Sequence, residues 1–547
     1  MLPPVTTYED LRAQFRWTIP ASYNIASDAC DRWADVEPMR TALLHVLDCG
    51  DVEAWSYGQL KAHSCQLANA LQSLGVAPRD RVALLLPQAP ETAISHFAIY
   101  RLGAIAVPLA ALFGPEALQY RLENAGAKVV ITNEAGLEKL HALREHLPFL
   151  EHVICVDGAR EGAIGFHSLL ERSSDSFDSC ATGPDDPALM IYTSGTTGQP
   201  KGALLAHRVL LGHLPGIQMA HEFLPQTGDL FWTPADWAWA GGLLNALLPS
   251  LKFGVPVLTA RIDKFDPEGA FDLMVRHGVR NAFIPPTALK MMRSVDHRPY
   301  KEKLQLRSVC SAGEALGCEA FAWCSEALGV APNEMYGQTE CNLVLGSGAG
   351  VGVSRAGAIG KPVPGHDVAV IRPDGSVCEL EEQGEIAVRR GTPVMFLGYW
   401  KRPDADEGKF LGDWMLTGDQ GVVDADGYIH FVGRNDDVIT SAGYRIGPTE
   451  IEDCLIKHDA VGLAAVVGKP DPVRTEIVKA YIVLKDGFEQ GDALVEDIRQ
   501  YVRVRLSAHE YPREIEFVSE MPLTTSGKVI RRILRSRAQE EADLVEG

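Results

Sequence analysis

With 547 residues, 46% of them hydrophobic and 22% charged, the chain can bury a large core and should divide into at least two domains. A formal net charge of −21 argues against nucleic acid as a partner, because phosphate-backbone binding draws on clustered Lys and Arg. Eleven cysteines without a CxxC pair give neither a zinc ribbon nor a disulfide framework. The opening residues lack the basic and apolar regions of a secretory signal. The apolar stretch Ala93 to Phe113 is broken by His96 and Arg101, and Gly241 to Leu258 by Asn245 and Lys252, so neither reads as a membrane span. The expected location is the cytoplasm.

From about residue 40 to 430, short β-rich apolar runs alternate with segments of helical period. The runs are Val82–Leu86, Val129–Thr132, His152–Val156, Ala188–Tyr192 and Asn281–Ile284; the helical segments include Leu60–Leu74 and Pro115–Glu123. Such alternation predicts α/β layers with largely parallel sheets. From Gly365 the texture shifts to strands and turns: Asp367–Ile371, Pro373-Asp374-Gly375, Gly384–Arg389 and Gly427–Val432. After Gly433-Arg434-Asn435-Asp436-Asp437 come helix Pro448–Lys457, strands Gly462–Gly468 and Glu476–Lys485, helix Ala493–Leu506 and strand Arg513–Val518. The fold class expected is α/β. Residues 1–434 should form a large N-terminal domain of mixed sheets flanked by helices plus a small β-rich unit, and residues 435–547 a small α+β C-terminal domain.

The most informative stretch follows the predicted strand Ala188–Tyr192: Thr193-Ser194-Gly195-Thr196-Thr197-Gly198-Gln199-Pro200-Lys201-Gly202. Its glycines bring backbone N–H groups close to an anion, and the hydroxyls of Thr193, Ser194, Thr196 and Thr197 with the Lys201 ammonium add donors for phosphate oxygens. The Walker spacing G-x-x-x-x-G-K-[ST] is absent, since Gly202 follows Lys201. A plain polar turn between strands is the alternative reading of this stretch.

This loop, with Trp55-Ser56-Tyr57-Gly58-Gln59-Leu60, Arg101-Leu102-Gly103-Ala104-Ile105-Ala106-Val107-Pro108 and Gly527-Lys528, resembles the adenylate-forming superfamily of acyl-CoA synthetases, peptide-synthetase adenylation domains and luciferases. Through Tyr336–Glu340, Ser441–Pro448 and Tyr511-Pro512-Arg513, the nearest likeness is to medium-chain acyl-CoA synthetases. The resemblance implies a cytoplasmic ligase that joins a small carboxylic acid to coenzyme A with ATP and Mg²⁺. It assigns Gly313 and Glu314 to the adenine border, Tyr336 to the base, Thr339 to the α-phosphate and Glu340 to the metal. An aromatic face suits adenine, and a carboxylate suits magnesium shared with phosphate.

The same resemblance gives Asp419 and Arg434 to the ribose and Arg445 to the phosphate end of ATP. Lys528 becomes the catalytic ammonium on a mobile C-terminal domain, Asp436 its hinge, and Gly443 part of the coenzyme A channel. A lysine that touches both nucleophile and phosphate would lower the barrier electrostatically. It also allows a homo-oligomer and regulatory acylation of Lys528.

For the acid, the resemblance implies that the aromatic-rich segment Phe231–Trp239, Trp239 included, forms one wall of an apolar pocket, with the small residues Ala240, Gly241 and Ala312 as further wall positions. Gly337 stands where acetate-specific relatives carry tryptophan, which predicts open volume for a short- to medium-chain, branched or aryl acid. Two other readings compete. A free-standing amino-acid or aryl-acid adenylation enzyme would load a carrier protein, and the chain ends 19 residues after Lys528 without an appended carrier. A nucleotide-binding regulator would keep the loop and do no chemistry.

Overall fold

The computed structural model describes residues 1–193, 199–262, 264–441, 444–471, 474–506, 511–524 and 528–546, with the backbone alone at 444–445 and 544–546. Two large sheets dominate the N-terminal part. One has nine strands in the order Lys361–Pro362, Leu345–Gly346, Pro332–Tyr336, Ser308–Ala312, Asn281–Phe283, Phe231–Trp232, Val257–Ala260, Thr41–Val46, Val52–Ser56. The other has eight, running Gly398–Tyr399, Lys201–Ala206, Pro187–Thr193, Ile105–Pro108, Arg81–Leu85, Val129–Thr132, His152–Cys155, Ile164–Gly165. Their centres are parallel; both edges of the nine-stranded sheet and the Gly398–Tyr399 edge of the other are antiparallel, while the Ile164–Gly165 edge stays parallel, so the expected parallel character holds for most of each sheet. Interior strands such as Val129–Thr132 and Val257–Ala260 are buried throughout, as two helix-covered faces require.

Local chemistry sets where helices begin and end. Ser56 and Gln59 form a capping box, which starts the helix Tyr57–Ser73 three residues before the apolar period suggests. Proline occupies the first turn of Pro90–Arg101, Pro115–Ala125 and Pro267–His277, where its missing N–H costs no bond. The strand expected at Gly427–Val432 runs Ile429–Arg434 instead. Asp424 explains the shift: its carboxylate takes the N–H groups of Asp426 and Tyr428 and folds the preceding residues into a turn.

A five-stranded sheet formed by Val368–Ile371, Gln383–Arg389, Trp414–Val423, Phe410–Leu411 and Ile429–Arg434 closes this part. The C-terminal sheet contains Ile439–Ser441, Tyr444–Ile446, Val461–Asp471, Thr475–Leu484 and Glu514–Phe517, with helices Pro448–Ile456 and Asp492–Arg505. A final helix, Arg531–Glu546, absent from the sequence reading, packs Leu534 and Ala538 against Ala465, Val467 and Tyr481. Among the described residues no helix is long and apolar enough to cross a membrane.

Candidate active site

Strands Ser308–Ala312 and Pro332–Tyr336 lie side by side in parallel, with Ala312 opposite Met335, so the residues after both emerge at one end of the sheet. Open α/β sheets bind ligands outside the carboxyl ends of their strands. Gly313 and Glu314 follow the first strand; Gly337, Gln338, Thr339 and Glu340 follow the second. Gly313 has φ +103°, a conformation glycine adopts without strain.

The Tyr336 hydroxyl donates to Asp419 Oδ2 at 2.6 Å, and Gln338 Nε2 donates to the same oxygen at 2.8 Å and to the Thr417 carbonyl at 2.7 Å. Arg434 Nε stands 3.7 Å from Asp419 Oδ1. Burial raises the Asp419 pKa, opposed first by the Arg434 charge and then by the two hydrogen bonds. Lys409 Nζ donates to Gln338 Oε1 at 3.2 Å and extends this polar floor.

The C-terminal part supplies the remaining charge. Lys528 brings its Nζ to 3.7 Å from the point where a Cβ on Gly313 would stand. The residue is exposed as a whole, and its crowding is at the ammonium end. That crowding lowers the lysine pKa against the pull of Glu314, while Arg434 lowers it further. Asp436 bridges the two parts, with Oδ1 3.6 Å from Arg434 Nε and Oδ2 3.5 Å from Arg535 of the last helix. Arg531 and Arg535 both reach Asp437.

A second acidic position lies beside the start of strand Lys201–Ala206. Glu340 is buried, 7% exposed, and accepts the Tyr399 hydroxyl at 2.5 Å. Lys201 Nζ lies 4.4 Å from the centre of the Tyr399 ring. Burial lowers the Lys201 pKa, with the Glu340 carboxylate as the leading opposing influence.

Two sequence-family models match the chain. A model described as AMP-binding enzyme matches residues 30–400, and one described as AMP-binding enzyme C-terminal domain matches residues 450–528. The chain belongs to the AMP-binding enzyme family. It is 34% identical to the acetyl-coenzyme A synthetase of Bacillus subtilis (strain 168), covering 97% of this chain and 94% of that one. It is 33% identical to the mitochondrial acyl-coenzyme A synthetase ACSM4 of Rattus norvegicus, covering 95% and 91%. Among solved structures, the anthranilate CoA ligase AuaEII in complex with anthranoyl-AMP superposes with a TM-score of 0.88 at 29% identity, covering 96% of this chain and 99% of that one.

In this AMP-binding enzyme Ser194, Gly195, Thr196, Thr197, Gly198 and Gly443 lie outside the described residues, as does the side chain of Arg445. Thr193 ends the strand Pro187–Thr193. Trp239, Ala240, Gly241 and Ala312 are all half-buried. Trp239 meets Phe113 edge to face, with ring centres 5.8 Å apart.

The open volume expected at Gly337 is not there. A Cβ on Gly337 would lie 2.2 Å from the Leu343 backbone nitrogen and 2.9 Å from the Asn342 carbonyl carbon. The missing side chain makes room for neighbouring backbone, with Leu343 itself at φ +50°. Gly241 is also covered, since a Cβ there would meet the Phe283 ring at 3.0 Å. A glycine in a sequence does not distinguish a cavity from a close backbone approach.

Four polar residues received no role from the sequence: Gln338, which sits inside the motif Tyr336–Glu340, and Lys409, both under Asp419, Tyr399 against Glu340, and Arg503 on the C-terminal domain. Arg503 lines a cavity of about 260 Å³ with Arg499, Arg513, Tyr511, Glu496 and Gln500. Tyr511, between Arg503 and Arg513 at 5.5 and 5.1 Å from its ring, shares with Arg513 the motif Tyr511-Pro512-Arg513, and the other residues of that group lie outside it.

Proposed function

We propose that the enzyme is an ATP-dependent acyl-CoA synthetase that works in two steps. A carboxylate oxygen of the acid attacks the α-phosphorus of ATP; the bond to pyrophosphate breaks and acyl-AMP forms. The sulfur of coenzyme A then attacks the acyl carbon, AMP leaves with the bonding pair, and the thiol proton goes to solvent. The observation that carries this reading is the Lys528 ammonium beside Gly313 and Glu314, on the side of the site where Asp419 and Tyr336 meet. A cation there compensates charge that builds on the α-phosphate during attack.

Asp419 and Arg434 suit the ribose, and the Tyr336 face suits the base. Glu340 fits the role of a magnesium ligand: a buried carboxylate has about four acceptor positions, of which Tyr399 uses one. Bound there, the cation would neutralise phosphate charge. The three arginines around Tyr511 suit the phosphate-rich end of coenzyme A. Asp436, an exposed residue between the sheets of the two parts, suits the hinge about which Lys528 would leave the site before thioester formation.

The acid is a short- to medium-chain, branched or aryl acid, and walls other than Gly337 set its length. The test is to supply ATP, Mg²⁺, coenzyme A and a panel of acids to the purified protein. AMP and acyl-CoA should rise in equal amounts with at least one acid. AMP release with acyl transfer only to a carrier protein, or ATP binding without turnover, would overturn the reading.

A further inference from the structure

Tyr399 touches two charged residues that stand far apart in sequence, Lys201 after the phosphate loop and Glu340 after the strand Pro332–Tyr336. Its hydroxyl donates to Glu340 Oε1 at 2.5 Å, while its ring face carries Lys201 Nζ at 4.4 Å from the centre. A cation is attracted to an aromatic face and a carboxylate to a phenol hydroxyl, so one side chain can orient both signs of charge.

The tyrosine is itself held firmly. Gly398–Tyr399 pairs antiparallel with Lys201–Ala206, Tyr399 opposite Ala203, in the strand that Lys201 begins. The Tyr399 N–H donates to Asp406 Oδ1 at 2.8 Å, and the next N–H, of Trp400, donates to the Gly202 carbonyl at 2.7 Å. The Phe396 ring packs at 4.9 Å in an edge-to-face arrangement, and the Phe396 N–H donates to the Glu340 carbonyl at 2.9 Å. The segment 396–400 therefore ties the backbone of Glu340 to the backbone that leaves the phosphate loop. Only the hydroxyl and the ring face reach the charged groups.

We propose that Tyr399 is a positioning residue for acid adenylation, fixing Lys201 and Glu340 as an opposed pair against the triphosphate and its cation. The inference rests on the adenylating function proposed above. Losing the hydroxyl frees the Glu340 carboxylate to rotate, and losing the ring also frees Lys201. Thioester formation from ready-made acyl-AMP involves no triphosphate and should not depend on either.

The test compares the full-length wild type with Tyr399→Phe and Tyr399→Leu. Pyrophosphate exchange should fall roughly ten- to a hundred-fold in Tyr399→Phe, the range for a hydrogen bond to a charged group, with the KM for ATP little changed. Tyr399→Leu should lose as much and raise the KM for ATP as well. Mn²⁺ binding in the presence of ATP, read by electron paramagnetic resonance, should weaken several-fold in Tyr399→Phe without any turnover. Thioester formation from supplied acyl-AMP should stay at the wild-type rate.

Wild-type exchange and Mn²⁺ affinity in Tyr399→Phe would overturn the proposal, as would equal losses in both half-reactions, which would mark Tyr399 as structural. A wild type that exchanges no pyrophosphate with any acid would refute the adenylating function instead. The Mn²⁺ measurement on Tyr399→Phe would still decide whether the hydroxyl positions Glu340, and it needs only a folded variant.

Discussion

The Nζ of Lys528 stands 3.7 Å from the point that a Cβ on Gly313 would occupy, across the meeting of the C-terminal and N-terminal parts. At that distance a methyl group would touch the lysine without a clash, so the cost of Gly313→Ala comes from the backbone. Alanine at φ +103° is strained by about 1–3 kcal/mol. If Gly313 borders the nucleotide, pyrophosphate exchange should slow more than thioester formation from supplied acyl-AMP. Equal slowing of the two would separate Gly313 from the lysine's work.

Tyr336→Phe removes one of two hydrogen bonds to the buried Asp419 Oδ2. A bond to a charged acceptor contributes about 1.5–3 kcal/mol, so the KM for ATP should rise roughly ten- to a hundred-fold if Asp419 holds the ribose. The KM for the acid should not move. A change confined to the acid would mean that Tyr336 and Asp419 serve the other substrate.

Gly337→Ala puts a methyl group 2.2 Å from the Leu343 nitrogen. The loop must move, and overpacking of this kind costs about 1–3 kcal/mol. The melting temperature should fall by about 1–3 °C for a loss of that size in a domain this large, while the acid profile keeps its shape. An unchanged melting temperature with a shift toward shorter acids would restore Gly337 as a wall of the acyl pocket.

Acid should destabilise the enzyme well above the range of ordinary carboxylates. Burial holds His96, His221 and His366 down to about 3, and His207 and His213 down to about 4. Unfolding returns them to about 6.5, so below that value the unfolded chain gains protons that the folded chain refuses, and stability is lost as pH falls. Three carboxyls act in the opposite sense: burial raises Glu334 to about 8 and Asp236 and Asp453 to about 6. Five groups against three leave the unfolded chain about two protons ahead between roughly pH 6 and 4.5, a loss of about 3 kcal/mol per pH unit. Melting temperatures measured across that window should fall steadily. A flat profile would mean that these histidines are protonated in the fold.

Most of this architecture was legible because the deciding interactions are local. The strand Val129–Thr132 was bounded to the residue, since a fully buried parallel strand is a continuous apolar run. Helix Tyr57–Ser73 began early because a capping box outweighs the glycine inside its first turn. The last helix, Arg531–Glu546, has a highly charged sequence, and its anchoring comes from Leu534 and Ala538 packing on a distant sheet. At the site, motif residues such as Tyr336, Asp419 and Lys528 could be named in advance. Their partners could not: Gln338 reaches Asp419, and Tyr399 reaches Glu340, across separations of 81 and 59 residues that only the fold closes. Gly337 differs for another reason: the backbone filling its space belongs to Asn342 and Leu343, only five and six residues on, and a glycine alone does not tell a cavity from a chain that turns back on itself.

In the proposed function Lys528 serves the activation of the acid and not its transfer. The direct measurement is the pair of half-reactions in Lys528→Ala: pyrophosphate exchange with a competent acid, and acyl-CoA formation from supplied acyl-AMP. Removing a positioned charge from the transition state typically costs about a hundred- to a thousand-fold. A loss of at least that size is expected in exchange, with thioester formation at close to the wild-type rate. Exchange at the wild-type rate, or an equal collapse of both half-reactions in a folded variant, would contradict it.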